Sequence, residues 1–257
     1  MTVVAVTNQK GGCGKTTTAV NLAAALGELG LNVLIIDLDP QCNASQWIGA
    51  NDKTQGIYEL IIAQSSLYEE LVNGTTCPGV DLIHGSKNLA RLEQHLAGQI
   101  AAEGVLKRSL SALLAATGRW DFVLIDTPPT LGLATINAMV AADYLLIPVT
   151  THVMTLSGVA QIFRAVTEIR ELLNPNLRIL GLLPSRVDLR TRHSREVLAS
   201  LDEHFGAEVM QTNIHECIKL AEAYSFKKSV LGYKSDSVAT RDFRSLAKEI
   251  LARLEAQ

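Results

Sequence analysis

The stretch QKGGCGKTTT, Gln9 to Thr18, lies between an apolar β-branched run, VVAVT at 3–7, and a helical pattern from Lys15 to Leu29 that Gly30 stops. A glycine-rich turn leaving a strand and opening a helix is the context in which a phosphate-binding loop works. Gly11, Gly12 and Gly14 let backbone N–H groups turn inward around phosphate oxygens, and the helix start near Lys15 adds the positive end of its dipole. Lys15 then serves the β- and γ-phosphates, and the Thr16 hydroxyl completes a Mg²⁺ site. Cys13 and Thr17 belong to the same nucleotide-binding segment. A glycine turn that binds no phosphate explains neither the Lys15-Thr16 pair nor the carboxylates found farther along the chain.

Working outward, short β-branched runs keep alternating with longer helical patterns: NVLIID (32–37), VDLIH (80–84), DFVLID (121–126), YLLIPV (144–149) and RILGLLPSRV (178–187). A further helix is predicted from Leu156 to Leu173, ending before Asn174-Pro175. The runs are almost continuously apolar, as strands covered on both faces are. The expected fold is α/β: a doubly wound, mainly parallel sheet with helices on both faces. The 257 residues, 47% hydrophobic, are read as one domain over 1–257, mainly helical from about Ser194. The least regular region is 41–99, where AQSSLYEELVNGTTCPG (63–79) is expected to run over the surface.

A formal net charge of −3 supplies no global basic field, so contact with nucleic acid or anionic lipid has to come from a local patch. The four cysteines lie far apart without a CxxC pair, which fits reduced thiols in a cytosolic protein and no metal cluster within one chain. The N-terminus has no basic segment before its apolar run, and no run reaches the roughly 18 residues of a membrane span. A cytoplasmic protein is expected.

Two further strand ends carry carboxylates. IIDLDPQCNAS puts Asp37 and Asp39 at the carboxyl edge of the sheet, where open α/β folds bind their ligands. FVLIDTPPTLG ends a strand on Asp126, a Walker-B carboxylate that holds Mg²⁺ through water, followed by a second switch from Thr127 to Gly132. Phosphoryl transfer needs positioning and charge neutralisation, which Lys10, Lys15, Thr16 with Mg²⁺, and Asp39 can supply without an arginine finger.

The loop departs from GxxxxGK[ST] in placing Gln9 where that pattern has glycine. KGGCGKTTT instead resembles the deviant Walker-A ATPases of the ParA/MinD family, whose hallmark is KGGxGKT[TS] with a signature lysine, here Lys10. The resemblance implies an ATP- and Mg²⁺-dependent hydrolase that pairs as an ATP sandwich dimer, with Lys10 reaching the facing subunit's nucleotide. It implies that Asp39 positions the attacking water and that Asp37 supports the Mg²⁺ shell. It also implies slow basal turnover accelerated by a partner, a ParB-like protein in partition systems.

Within the family, MinD-like proteins end in a basic membrane-surface segment. Here Phe243, Leu246, Ile250, Leu251 and Leu254 read as a packing face, so no membrane contact is expected. Nitrogenase-reductase relatives need a cysteine soon after the Walker-B region, and DTPPTLGLATINAM has none. Resemblance to Soj-like partition ATPases implies nonspecific DNA binding by the ATP dimer and association with the nucleoid. It points to Arg190 in DLRT and Lys219 in IKLAEAYS, with Lys227, Lys228 and Arg241 extending the surface. SRVDLRTRHSRE adds Arg186, Arg192, Arg195 and His193 to the local basic cluster. VTTHVMTLSGVAQ (149–161), which stands where many Soj-like chains carry an aromatic-containing segment, leaves a protein cargo such as a carboxysome or chemotaxis cluster open. A P-loop kinase using 41–99 as its acceptor site is the alternative from another class.

Overall fold

A computed structural model describes residues 1–49, 55–62, 68–151 and 156–256. Its strands are β1 (Thr2–Val6), β2 (Val33–Asp37), β3 (Val72–Gly74), β4 (Val80–Ile83), β5 (Phe122–Asp126), β6 (Tyr144–Thr150), β7 (Arg178–Val187) and β8 (Ile214–His215). They form one sheet in the order β3-β4-β2-β5-β1-β6-β7-β8. Every pairing is parallel except β3 with β4. The helices, in chain order, are α1 (Lys15–Glu28), α2 (Asn43–Ile48), α3 (Ile57–Ile62), α4 (Tyr68–Leu71), α5 (Leu92–Leu96) and α6 (Val105–Thr117). They continue as α7 (Leu133–Ala141), α8 (Leu156–Leu172), α9 (Arg192–Phe205), α10 (Ile218–Ser225), α11 (Val230–Tyr233) and α12 (Val238–Glu255).

Apolar runs without alternation follow from burial on two sides. Along β2, Val33 and Ile35 enter the core shared with α1, α2, α11 and α12, while Leu34 and Ile36 enter the opposite core with α3, α6, α7 and α8. Because side chains point alternately to the two faces, each face needs its own apolar set. Phe243, Leu246 and Ile250 of α12 are fully buried in the first of these cores, against α1 and β8, so the final helix is a packing element as its spacing implies.

The structure departs from the sequence expectation in two places. Within 63–79, residues 63–67 lie outside the described residues, but the remainder is not surface coil: β3 pairs antiparallel with β4, and Val72 and Cys77 are buried. The mainly helical C-terminal part also contributes β8, which extends the sheet beside β7. Of the VTTHVMTLSGVAQ segment, residues 152–155 lie outside the described residues. Among the described residues no helix is long and apolar enough to cross a membrane.

Parallel pairing in register sets the site. Val6 of β1 and Asp37 of β2 both align with Asp126 of β5, so three strands end level with one another. Everything that leaves these ends converges on one edge of the sheet.

Candidate functional site

The loop from β1 into α1 wraps over that edge. Gly12 has φ +72° and Gly14 φ +91°, left-handed conformations that a Cβ would strain. Gly14 is the cap of α1 and accepts the Thr18 N–H through its carbonyl at 2.8 Å. Asn8 pins the loop's outer arm: its Nδ2 donates to the Pro148 carbonyl of β6 at 2.7 Å, and its Oδ1 accepts the Lys10 N–H at 3.0 Å. Lys15 is buried, with Nζ 3.4 Å from the Lys10 carbonyl oxygen, so its ammonium group sits inside the loop, while Lys10 is half-buried. The Cys13 thiol is buried and pushed up in pKa by that burial, and it is one of four free cysteines.

Beneath the loop the carboxylates crowd. The Thr16 hydroxyl donates to Asp126 Oδ2 at 2.6 Å, while Asp126 Oδ1 is buried with no hydrogen-bond partner. Burial, and after it the Asp37 carboxylate, holds the Asp126 pKa well above the usual range. Asp37 is also fully buried, and desolvation lifts its pKa to about 6. Its Oδ2 accepts both the backbone N–H and the hydroxyl of Ser45, at 2.8 and 2.7 Å, and its Oδ1 accepts the Asp39 N–H at 3.3 Å. The Ser45 hydroxyl in turn accepts the Gly85 N–H at 2.8 Å. Asp37 thus ties the segment 39–45 to the strand ends. Asp39 Oδ1 accepts the Gln41 N–H at 2.9 Å, and the residue lines the cavity above.

That cavity, about 890 Å³, is walled on one side by Gly11 to Thr18 and Asp39. The other wall is Ser185 and Arg186 at the end of β7, and the segment from Ile214 through Tyr224. Sequence reasoning missed this second wall. No local pattern marks it; the structure shows it through Arg186, a non-glycine residue at φ +53° whose guanidinium pairs with Glu216 at 2.9 Å.

A divalent cation fits here by the chemistry of the donors. An orphaned buried carboxylate oxygen on Asp126 and the raised Asp37 carboxylate on the next strand call for positive charge, and the Thr16 hydroxyl beside them adds a neutral oxygen donor. Among the described residues no three acidic, histidine or cysteine side chains form a metal cage. The arrangement suits Mg²⁺, which takes few protein ligands and completes its shell from phosphate and water.

The basic residues outside the cavity are not equivalent. Arg190 forms a bidentate pair with Asp188, at 2.8 Å through both Nε and Nη2. Lys219 Nζ contacts both Glu222 oxygens, at 3.0 and 2.8 Å, and Arg192 pairs with Glu196 at 2.6 Å. Arg241 donates to the Asp236 carbonyl oxygen at 3.1 Å. Lys227 and Lys228, just after α10, are exposed and have no ion pair among the described residues.

A strand, a glycine loop with an inward lysine, and a Thr16–Asp126 pair at the carboxyl edge of a doubly wound sheet define a P-loop nucleotide hydrolase. A family model described as an AAA domain matches residues 1–179. The chromosome-partitioning ATPase Soj of Thermus thermophilus is 40% identical, over 98% of this chain and 96% of its own length. The chromosome partitioning protein ParA of Caulobacter vibrioides is 36% identical, over 98% and 94%. Among solved structures, cobyrinic acid a,c-diamide synthase from Mycobacterium smegmatis, with bound ADP and magnesium, superposes with a TM-score of 0.85 at 30% identity, covering 100% of this chain and 96% of that one. The chain is an ATPase of the ParA/MinD family, and ATP with Mg²⁺ is consistent with those relatives.

Proposed function

We propose that the protein is a partition ATPase that binds ATP and Mg²⁺, closes into a dimer around two nucleotides and holds DNA nonspecifically until hydrolysis releases it. The observation that carries this reading is the split disposition of the two lysines. Lys15 lies buried inside the loop against the Lys10 carbonyl and lines the cavity, whereas Lys10 is half-buried on the loop's outer arm and does not line it. Two ammonium groups on one short loop repel until anions separate them, so triphosphate binding favours Lys10 reaching outward to a second subunit's nucleotide.

In this reading Gly11 to Thr17 cradle the phosphates, with Lys15 neutralising β/γ charge. Thr16 and Asp126 would hold Mg²⁺, which supplies charge neutralisation at the phosphates. Asp39, held by the Gln41 N–H at the cavity wall, orients the attacking water. The hydrogen bonds of Asp37 to Ser45 and Asp39 favour a supporting role, keeping Asp39 in place, over direct metal contact. The second cavity wall, from Ser185 to Tyr224, accommodates the nucleoside. Nonspecific DNA binding requires only cations able to meet phosphates; Arg190 and Lys219 are held in ion pairs, whereas Lys227 and Lys228 are exposed side by side without one among the described residues.

Light scattering with ATP and Mg²⁺ tests the reading. Lys15→Ala should abolish ATP binding, and Lys10→Ala should leave monomer binding but no ATP-dependent dimer. A Lys10→Ala dimer of wild-type stability overturns the outward role. Stimulation of hydrolysis by a DNA-bound ParB-like protein supports partition of DNA, whereas stimulation by a protein that binds no DNA moves the cargo to a protein assembly.

A further inference from the structure

The segment that follows Asp39 is built as one stiff unit. Cys42 N–H donates to the Asp39 carbonyl at 2.8 Å, Gln46 N–H donates to the Cys42 carbonyl at 2.9 Å, and the Gln46 side-chain amide donates to the Gln41 carbonyl at 2.9 Å. These bonds join Asp39 directly to the first turn of α2. At the far end of α2 the buried Trp47 donates its indole N–H to the Lys228 carbonyl oxygen at 2.8 Å, and its ring meets Tyr224 of α10 edge-on at 5.3 Å. A second strut runs in parallel: Thr76 N–H donates to the Ile48 carbonyl at 3.1 Å, and the Thr76 hydroxyl donates to the Lys227 carbonyl at 2.8 Å.

Both struts end on the backbone of the exposed lysine pair. Lys227 has φ +52°, a left-handed conformation that a non-glycine residue keeps only when its surroundings impose it. The carbonyls of Lys227 and Lys228 are thus drawn inward by donors attached to α2 or bound to its last turn. Their side chains face solvent.

We propose that Trp47 and Thr76 link the Asp39 segment to the Lys227–Lys228 loop, so that the nucleotide state sets how the two lysines are presented to the phosphate backbone of duplex DNA. This rests on the reading of those lysines as a DNA surface. The link works by differential stability: the nucleotide that fixes the Asp39 segment also fixes the loop, and DNA binding to the fixed loop favours that nucleotide in return.

The experiment measures affinity for a mixed-sequence duplex at fixed salt with ATP and Mg²⁺ and again with ADP, for the full chain and its variants. Trp47→Phe keeps a ring in the core and removes the indole N–H, while Thr76→Val keeps the shape and removes the hydroxyl. Each should reduce the ATP-to-ADP ratio of DNA affinity by about fivefold or more, the scale of a working coupling. Thr76→Val should do so with basal hydrolysis within about twofold of wild type. A purely structural role would weaken DNA binding equally in both states, and an unchanged ratio in both variants overturns the link. The double variant Lys227→Ala with Lys228→Ala separates the two ideas. If it binds DNA as wild type does, the surface reading falls. If it loses DNA while Trp47→Phe and Thr76→Val keep the wild-type ratio, the link alone falls.

Discussion

Asp126 is buried completely, accepts one hydrogen bond from Thr16 and leaves its second carboxylate oxygen without a partner. With Asp37 aligned beside it on β2, two carboxylates share one dry corner. Both have folded-state pKa values above that of an unfolded aspartate, Asp37 at about 6. The sign follows from linkage: above its folded pKa each group is ionised at a desolvation cost, and that cost is relieved as pH falls and the folded state takes up the proton first. The nucleotide-free protein should therefore gain stability from Asp37 as pH falls through about 6 toward the usual aspartate range, with Asp126 contributing in the same direction. Asp126→Asn should stabilise the nucleotide-free protein at pH 8, because it removes a carboxylate whose charged form burial disfavours, while losing Mg²⁺-dependent hydrolysis. Thermal melts of both proteins across this pH range check it: the gap should narrow on acidification, and a variant melting below wild type at pH 8 contradicts the account.

At the level of elements, α7 begins directly after the Thr127–Gly132 segment without a cap of its own. Gly132 offers no side chain, and the first turn holds no acidic residue. Glu93 of α5 supplies the missing acceptor, taking the Leu133 N–H at 3.1 Å. Glu93→Ala should weaken the start of α7 by about 1 kcal/mol, seen as faster amide exchange at residues 133–136, and Glu93→Gln should restore much of it. No sequence pattern announces a cap contributed from 40 residues away. The same limit explains what else went unread. Long strands were legible because burial on both faces leaves a continuous apolar run, and the phosphate loop was legible because its chemistry is local. Val72–Gly74 and Ile214–His215 are too short to show any period, and their partners lie far along the chain. Arg190 and Lys219 read as available charges until folding set Asp188 and Glu222 against them.

For the molecule as a whole, a net charge of −3 and the internal pairing of many cations leave little long-range attraction for a polyanion. If the proposed DNA binding holds, retention in the ATP state should rest on local phosphate contacts and fall with added salt in proportion to their number, and removing the Lys227–Lys228 pair should make that dependence shallower by about two phosphate contacts per subunit. Titrations at several salt concentrations measure both slopes, and equal slopes remove those residues from the contact. The two flanks of the sheet matter wherever copies of the chain meet. β3 contributes three residues and β8 two, so neither outer strand offers a long row of open amides for a neighbour to zip onto. Copies brought close together can therefore touch and part without zipping edge to edge into fibrils.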